Sequence, residues 1–155
     1  MDLRISDWIV IDQNTDDQPP FEALMVDPYD QKSIDKIFSA KTRLPQWMRP
    51  RDRWLLSTEE VEAPTGTMGL VSVRSTWARL GIVSPLTNID PGFKGTLTIS
   101  AYNASHHNIL IRSGDSIWSM VLFKLARPKD EPIYAGRYQG QAGLQTPKAL
   151  KETST

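Results

Sequence analysis

The sequence predicts an all-β domain with one or two short helices, and three observations predict it. From residue 53 onward, short runs rich in β-branched and aromatic residues alternate with clusters of Gly, Pro, Asn and Asp, the punctuation of closely spaced strands. In the run 95–102, Thr96, Thr98 and Ser100 alternate with Leu97, Ile99 and Ala101, which gives a strand one polar and one apolar face. Helical spacing is best developed in residues 33–40, through Ile34, Ile37 and Phe38. A sandwich or barrel is the expected architecture.

Taken in order, Leu3, Ile5, Trp8, Ile9, Val10 and Ile11 make a first strand. Residues 13–20 are polar and end in Pro19-Pro20, so they read as a loop, and residues 21–26 as a second strand. The helix at 33–40 has Ser33 or Asp30 to cap it. Residues 44–53 hold two prolines and a cluster of arginines and read as an irregular crossing, with Trp47 and Trp54 packed inside. Strands are expected at 54–57, 69–73, 95–102, 108–111 and 117–125. Residues 127–132 read as a charged loop, and the Gly- and Gln-rich tail is expected to be mobile until something orders it. The chain thus divides into a β domain, 1–133, and a tail or lid, 134–155.

A chain of 155 residues suits one domain with a sizeable core. Eighteen basic and eighteen acidic residues cancel, so neither a nucleic-acid nor a membrane surface is expected, and an anionic ligand must be met by a local cluster. With no cysteine, disulfides and the thiolate ligands of zinc-dependent deaminases are excluded. His106 and His107, the only histidines, read as part of a polar loop. No apolar run approaches the ~20 residues that span a bilayer, and the start lacks a signal-like segment, so a cytoplasmic protein is the expectation.

Residues 74–95 carry the candidate chemistry. Arg74, Ser75 and Arg79 form a candidate anion cradle, because guanidinium forks match phosphate oxygens and a hydroxyl adds another bond. The bland alternative is a short helix with solvated arginines. Asp90 precedes Pro91-Gly92, and a tight reversal there holds its carboxylate at a strand end. Beside a polyanion site, such a group serves as a metal helper or as a base that activates water.

The segments RSTWARLGI, IDPGFKGTLTISAYN and RYQGQAGLQTPK, in that order, resemble the superfamily of dCTP deaminases and trimeric dUTPases. LLSTEEVEAPTGTMGLVSVRS resembles the strand pair that precedes its phosphate motif, and MDLRISD its first motif. The resemblance implies a distorted jelly roll assembled as a homotrimer, with active sites between subunits. It implies phosphate contacts from Arg74, Ser75 and Arg79, with Trp77 and Leu80 facing the core. Ser119 stands where the family has a phosphate-binding Gln, and Arg137 and Gln141 match contacts of the tail. Asp90 matches the acid that orients water in dUTPases or binds the sugar in deaminases, and Phe93 the aromatic that packs on deoxyribose. Residues 83–88, with Leu86, match the hairpin that reads the base, about two residues shorter here. Thr98 and Ser100 fall on the strand beside it, Tyr138 offers a stacking face, and Asp2 would hold a Mg²⁺-bound water.

One position separates the activities. The deaminases carry a Glu five residues beyond the Gly of the K/E-G motif, and counting from Gly95 gives Ser100, whose hydroxyl has no usable pKa for proton shuttling. No Asp or Glu lies between Asp90 and Asp115. The expected function is therefore a dUTP diphosphatase, in which Mg²⁺ bridges the triphosphate and Asp90 aligns water against the α-phosphorus. The alternatives are a dCTP deaminase, bifunctional or not, and a non-catalytic nucleotide-binding regulatory homologue.

Overall fold

In the computed structural model, residues 1–12, 26–38, 40–126 and 134–151 are described. The loop expected at 13–20, nearly all of the strand expected at 21–26, and the loop expected at 127–132 lie outside them. The architecture is a curled antiparallel β-fold. β1 (Asp2–Ile11) is its hinge: Asp2, Leu3 and Arg4 pair with β10 (Ser116–Lys124), and after a register shift Ile5–Ile11 pairs with β4 (Arg53–Glu62). A strand that changes partners at a bulge turns the corner between two sheets. On one side β10 continues to β5 (Thr67–Val73) and β7 (Thr87–Ile89). On the other, β4 continues to β8 (Lys94–Asn103) and β6 (Ile82–Val83), while β2 (Ala40–Arg43) covers β1. β3 (Gln46–Met48) and β9 (Ile109–Ile111) form a separate two-stranded piece.

The core lies between the sheets, where Ile9, Trp54, Leu56, Val71, Ile99, Ile117, Trp118 and Met120 are almost wholly buried. Alternation puts them there: β8 buries Leu97, Ile99 and Ala101 and turns Thr96, Thr98 and Ser100 outward. Between Ser57 and Glu60 the β4–β8 register shifts, and the buried Thr58 hydroxyl fills the gap, accepting from the Leu97 N–H at 3.0 Å. Asn103, fully buried, uses its whole amide: Nδ2 donates to the Met48 and His107 carbonyls, and Oδ1 accepts from the Ser105 N–H and hydroxyl. Unsatisfied, each such group would cost about 1–3 kcal/mol.

Helix α1 is Gln31–Ile37, capped by Asp30, whose carboxylate accepts from the Lys32 N–H. Of the two caps considered, Asp30 is thus the one used, and the helix starts and ends earlier than expected, with Ala40 already in β2. Ile34 and Ile37 bury against Val10 and Leu55, on the outside of the β4–β1 sheet. The expected packing of 44–53 holds for Trp54 but not for Trp47, which is 60% exposed because it points away from the core on β3, next to buried Met48. The expected hairpin at 83–88 is absent: β6 pairs with β8 and β7 with β5, so these residues cross from one sheet to the other. Leu80, expected in the core, is 49% exposed at the end of α2 (Ser75–Arg79), a helix too short to bury both flanks.

Candidate nucleotide site

The turn that presents Asp90 forms as its residues dictate. Proline at the second position and glycine at the third suit a type II turn, Gly92 has φ +78°, and the Phe93 N–H donates to the Asp90 carbonyl at 3.1 Å. Asp90 is exposed and borders a cleft of about 310 Å³. Its floor is Phe93 and the outward face of β8, Thr96 and Thr98, and its roof is the C-terminal tail, with Tyr134, Tyr138 and Gln141. Asp90 is the only carboxylate among the lining residues.

The tail is seated by specific bonds. Tyr134 donates its N–H to the Pro91 carbonyl at 3.0 Å and sets its ring edge-on to Phe93, with centroids 5.7 Å apart. The Gln139 side chain spans the turn, donating to the Gly92 carbonyl and accepting from the Lys94 N–H. Then the tail runs beside β8: Gly140 N–H donates to the Lys94 carbonyl at 2.9 Å and Thr96 N–H to the Gln141 carbonyl at 2.8 Å. Gln141 Nε2 donates to the Thr98 hydroxyl at 2.9 Å. Farther on, Gln31 of α1 donates to the Pro147 carbonyl and accepts from the Ala149 N–H. Residues 134–151 thus fold back over the domain, though they form no helix or strand.

The phosphate candidates gather elsewhere. Arg74 stands before α2, with Nη1 3.0 Å from the Asp2 carboxylate, and Trp77 pins the helix by donating from Nε1 to the Ser116 carbonyl at 2.9 Å. Ser119 lies opposite both Asp2 and Ser72 in register, so the three share one face. The structure therefore brings Asp2, Arg74, Ser75 and Ser119 together, with exposed Arg79 at the far end of α2. It does not bring them to Asp90 within one chain. Ile89 pairs with Gly69, so Asp90 lies near Met68, while Arg74 follows the opposite end of β5. Six residues of strand separate the two levels, roughly 20 Å.

Of the base and sugar candidates, Phe93, Thr98 and Tyr138 line the cleft, while Leu86 (65% exposed) and Ser100 do not. The Ser100 carbonyl accepts from the Ser84 hydroxyl at 2.6 Å, which ties the sheet crossing to β8. Arg137 points along the tail instead, donating to the Ala149 carbonyl at 2.6 Å, and Lys148 sits 5.0 Å over the Tyr138 ring. Sequence reasoning missed Gln31, Tyr134, Gln139 and Gln145. For Gln139 and Gln145 the one visible signal is the density of glutamine in the tail, which resembles ordinary solvated chain until the partners are known, and Gln31 and Tyr134 carry none.

Comparison with known proteins identifies the family. A family model described as dCTP deaminase-like matches residues 2–125. The dCTP deaminase of Pyrobaculum neutrophilum is 36% identical over 132 residues, covering 84% of this chain and 73% of that protein. That of Aeropyrum pernix is 45% identical over 106 residues, covering 68% of this chain and 58% of that protein. The crystal structure of 2′-deoxycytidine 5′-triphosphate deaminase from Agrobacterium tumefaciens superposes with a TM-score of 0.59 at 18% identity, over 79% of this chain and 38% of that one, a likeness of fold. By the span of the family match and the identity to these relatives, the chain belongs to the dCTP deaminase-like family.

Proposed function

We propose that the chain binds a deoxypyrimidine nucleoside triphosphate, with dCTP the substrate to which its kinship points. What carries this reading is the cleft, where Asp90, Phe93 and Tyr138 converge beside the polar face of β8. Aromatic faces receive a flat base, and the buried Phe93 ring offers a ribose 2′-hydroxyl no partner, which favours a deoxy sugar. Relatives 36% and 45% identical carry the name dCTP deaminase, and this weighs against the dUTP hydrolysis expected from the sequence. Deamination at C4 needs an acid/base, and on this reading Asp90 or a carboxylate of a second copy supplies it, since Ser100 lacks one. The roughly 20 Å along β5 argues that Arg74, Ser75 and Ser119 of a second copy meet the triphosphate, a homotrimer being what the family resemblance implies.

One observation favours a second reading, hydrolysis of dUTP to dUMP and pyrophosphate. The sole carboxylate on the cleft is suited to align a water for in-line attack, which asks for positioning more than for proton shuttling. Mg²⁺ would then be held by triphosphate oxygens and water, as suits an ion that dehydrates reluctantly. Among the described residues no three His, Asp or Glu side chains converge, and Asp2 is engaged by Arg74, so the fit is to an ion carried by its substrate.

Incubation with dCTP or dUTP plus Mg²⁺ tests both, following ammonia, pyrophosphate and nucleotide identity. Ammonia from dCTP supports the first reading, and pyrophosphate from dUTP the second. Tight binding without product leaves a non-catalytic nucleotide-binding homologue, and no binding refutes all three. Ser100→Glu sharpens the result: ammonia release that rises only in this variant identifies the serine as what limits deamination.

A further inference from the structure

A threonine hydroxyl has one proton to give and two lone pairs to receive. In Thr98 both lone pairs are taken by the tail, one by Gln141 Nε2 at 2.9 Å and the other by the Gln145 N–H at 3.0 Å. The backbone donor is unambiguous. The amide orientation follows from a second contact: Gln141 Nε2 also lies 3.4 Å from the Gly143 carbonyl, which only the amide nitrogen can satisfy, whereas the Thr98 hydroxyl could pair with either end. Among the described residues no acceptor takes the Thr98 proton, and no donor reaches Gln141 Oε1. Both residues line the cleft.

From this we infer that the seated tail makes Thr98 an obligate hydrogen-bond donor toward the base edge of a ligand in the cleft. With the tail away, the hydroxyl can donate or accept and imposes no register on a base. With the tail down it can only donate, and Gln141 Oε1 beside it can only accept. The pair calls for a ligand edge with an acceptor next to a donor. Cytosine has one, its N3 beside the 4-amino group, and uracil has another, a carbonyl beside N3–H. Thr98 is thus a base-reading residue whose polarity is imposed by Gln141 and Gln145, one that both pyrimidines can satisfy in different registers. This inference rests on the nucleotide reading of the cleft and adds to it which group reads the base and what sets its sense.

The test uses the full chain as wild type, Thr98→Val and Thr98→Ser, titrated calorimetrically with dCTP, dUTP and inorganic tripolyphosphate, with amide exchange at Gln145 measured without ligand. Thr98→Val keeps the shape and loses the hydroxyl, and is expected to weaken at least one nucleotide about tenfold. Thr98→Ser is expected within about threefold of wild type, with tripolyphosphate unchanged in both. The Gln145 amide is expected to exchange faster in Thr98→Val alone. Equal losses for tripolyphosphate would reduce Thr98 to an anchor of the tail and overturn the inference, as would unchanged binding of both nucleotides. Unchanged Gln145 exchange would overturn the lone-pair assignment. Should the wild type bind neither nucleotide, the function reading falls and takes the base-reading role with it, while faster Gln145 exchange would still uphold the tail bond.

Discussion

Gly95 is where the tail is most exposed to a single substitution. It is the second residue of β8, with φ +152°, and a Cβ built there would lie 2.8 Å from the Gln141 carbonyl oxygen and 2.9 Å from its nitrogen. Those neighbours are backbone, so no side-chain rotation relieves the contact and one chain must move. The tail should yield, because β8 is held along its other side by β4 from Arg53 to Glu62, whereas the tail belongs to no strand. Gly95→Ala then loses the Gly140–Lys94 and Thr96–Gln141 backbone bonds and the 3.2 Å bond from the Thr96 hydroxyl. At about 1 kcal/mol each, the seated tail loses about 2–3 kcal/mol, and a side chain at this φ adds about 1–3 kcal/mol of strain. The strain stays in β8 whether the tail is seated or open, so the lost bonds alone move the tail. Since 1.4 kcal/mol is tenfold, its open fraction should rise about thirtyfold to a hundredfold. The measurement is amide exchange at Thr96 and Gly140 together with trypsin cleavage after Arg137 and Lys148; the Leu56 amide in β4 serves as the control for an intact sheet. Equal exchange and cleavage in the two proteins would show that the tail does not depend on its seat at Gly95.

Asn103→Ala strips hydrogen bonds from the Met48 and His107 carbonyls and is expected to cost about 3 kcal/mol, a fall in Tm of roughly 6–12 °C by calorimetry. Asp2→Ala removes an exposed ion pair worth about 0–1 kcal/mol, so the urea midpoint should barely move, while tripolyphosphate binds more tightly to the freed Arg74. Should turnover be found, Arg74→Ala and Asp90→Asn are each expected to abolish it. Trimers refolded from an equal mixture should then recover about a quarter of wild-type activity, the chance that one copy keeps Asp90 and its neighbour Arg74. No recovery would place both residues in one chain's site.

How much was legible in the sequence varies by element. β1, β5, β8 and β10 were visible because each runs long enough to show β-branched enrichment or alternation. Asp30, the turn at Asp90 and the short helix after Arg74 are local chemistry, settled by a side chain and its near neighbours. β2, β3, β6 and β7 were not visible. Each has two to four residues, too few for a period to register, and exists through partners such as Asn103 for Ile82 or Val71 for Thr87. The candidate site divides likewise: Asp90 and Phe93 share a cleft, but that the phosphate cluster lies a strand's length away follows from the pairing of β7 with β5.

From residue order alone came the β class, the single acid ahead of a Pro-Gly turn, the serine at position 100 and the kinship these motifs carry. Those properties depend on side-chain type and on neighbours a few bonds away. Which sheet Ile82–Val83 and Thr87–Ile89 each joined, which tryptophan stayed outside, and what the glutamines of the tail were for depended on contacts between residues tens of positions apart. Such contacts form only where packing of the whole chain offsets the entropy of closing the loops between them, and no local pattern records that balance.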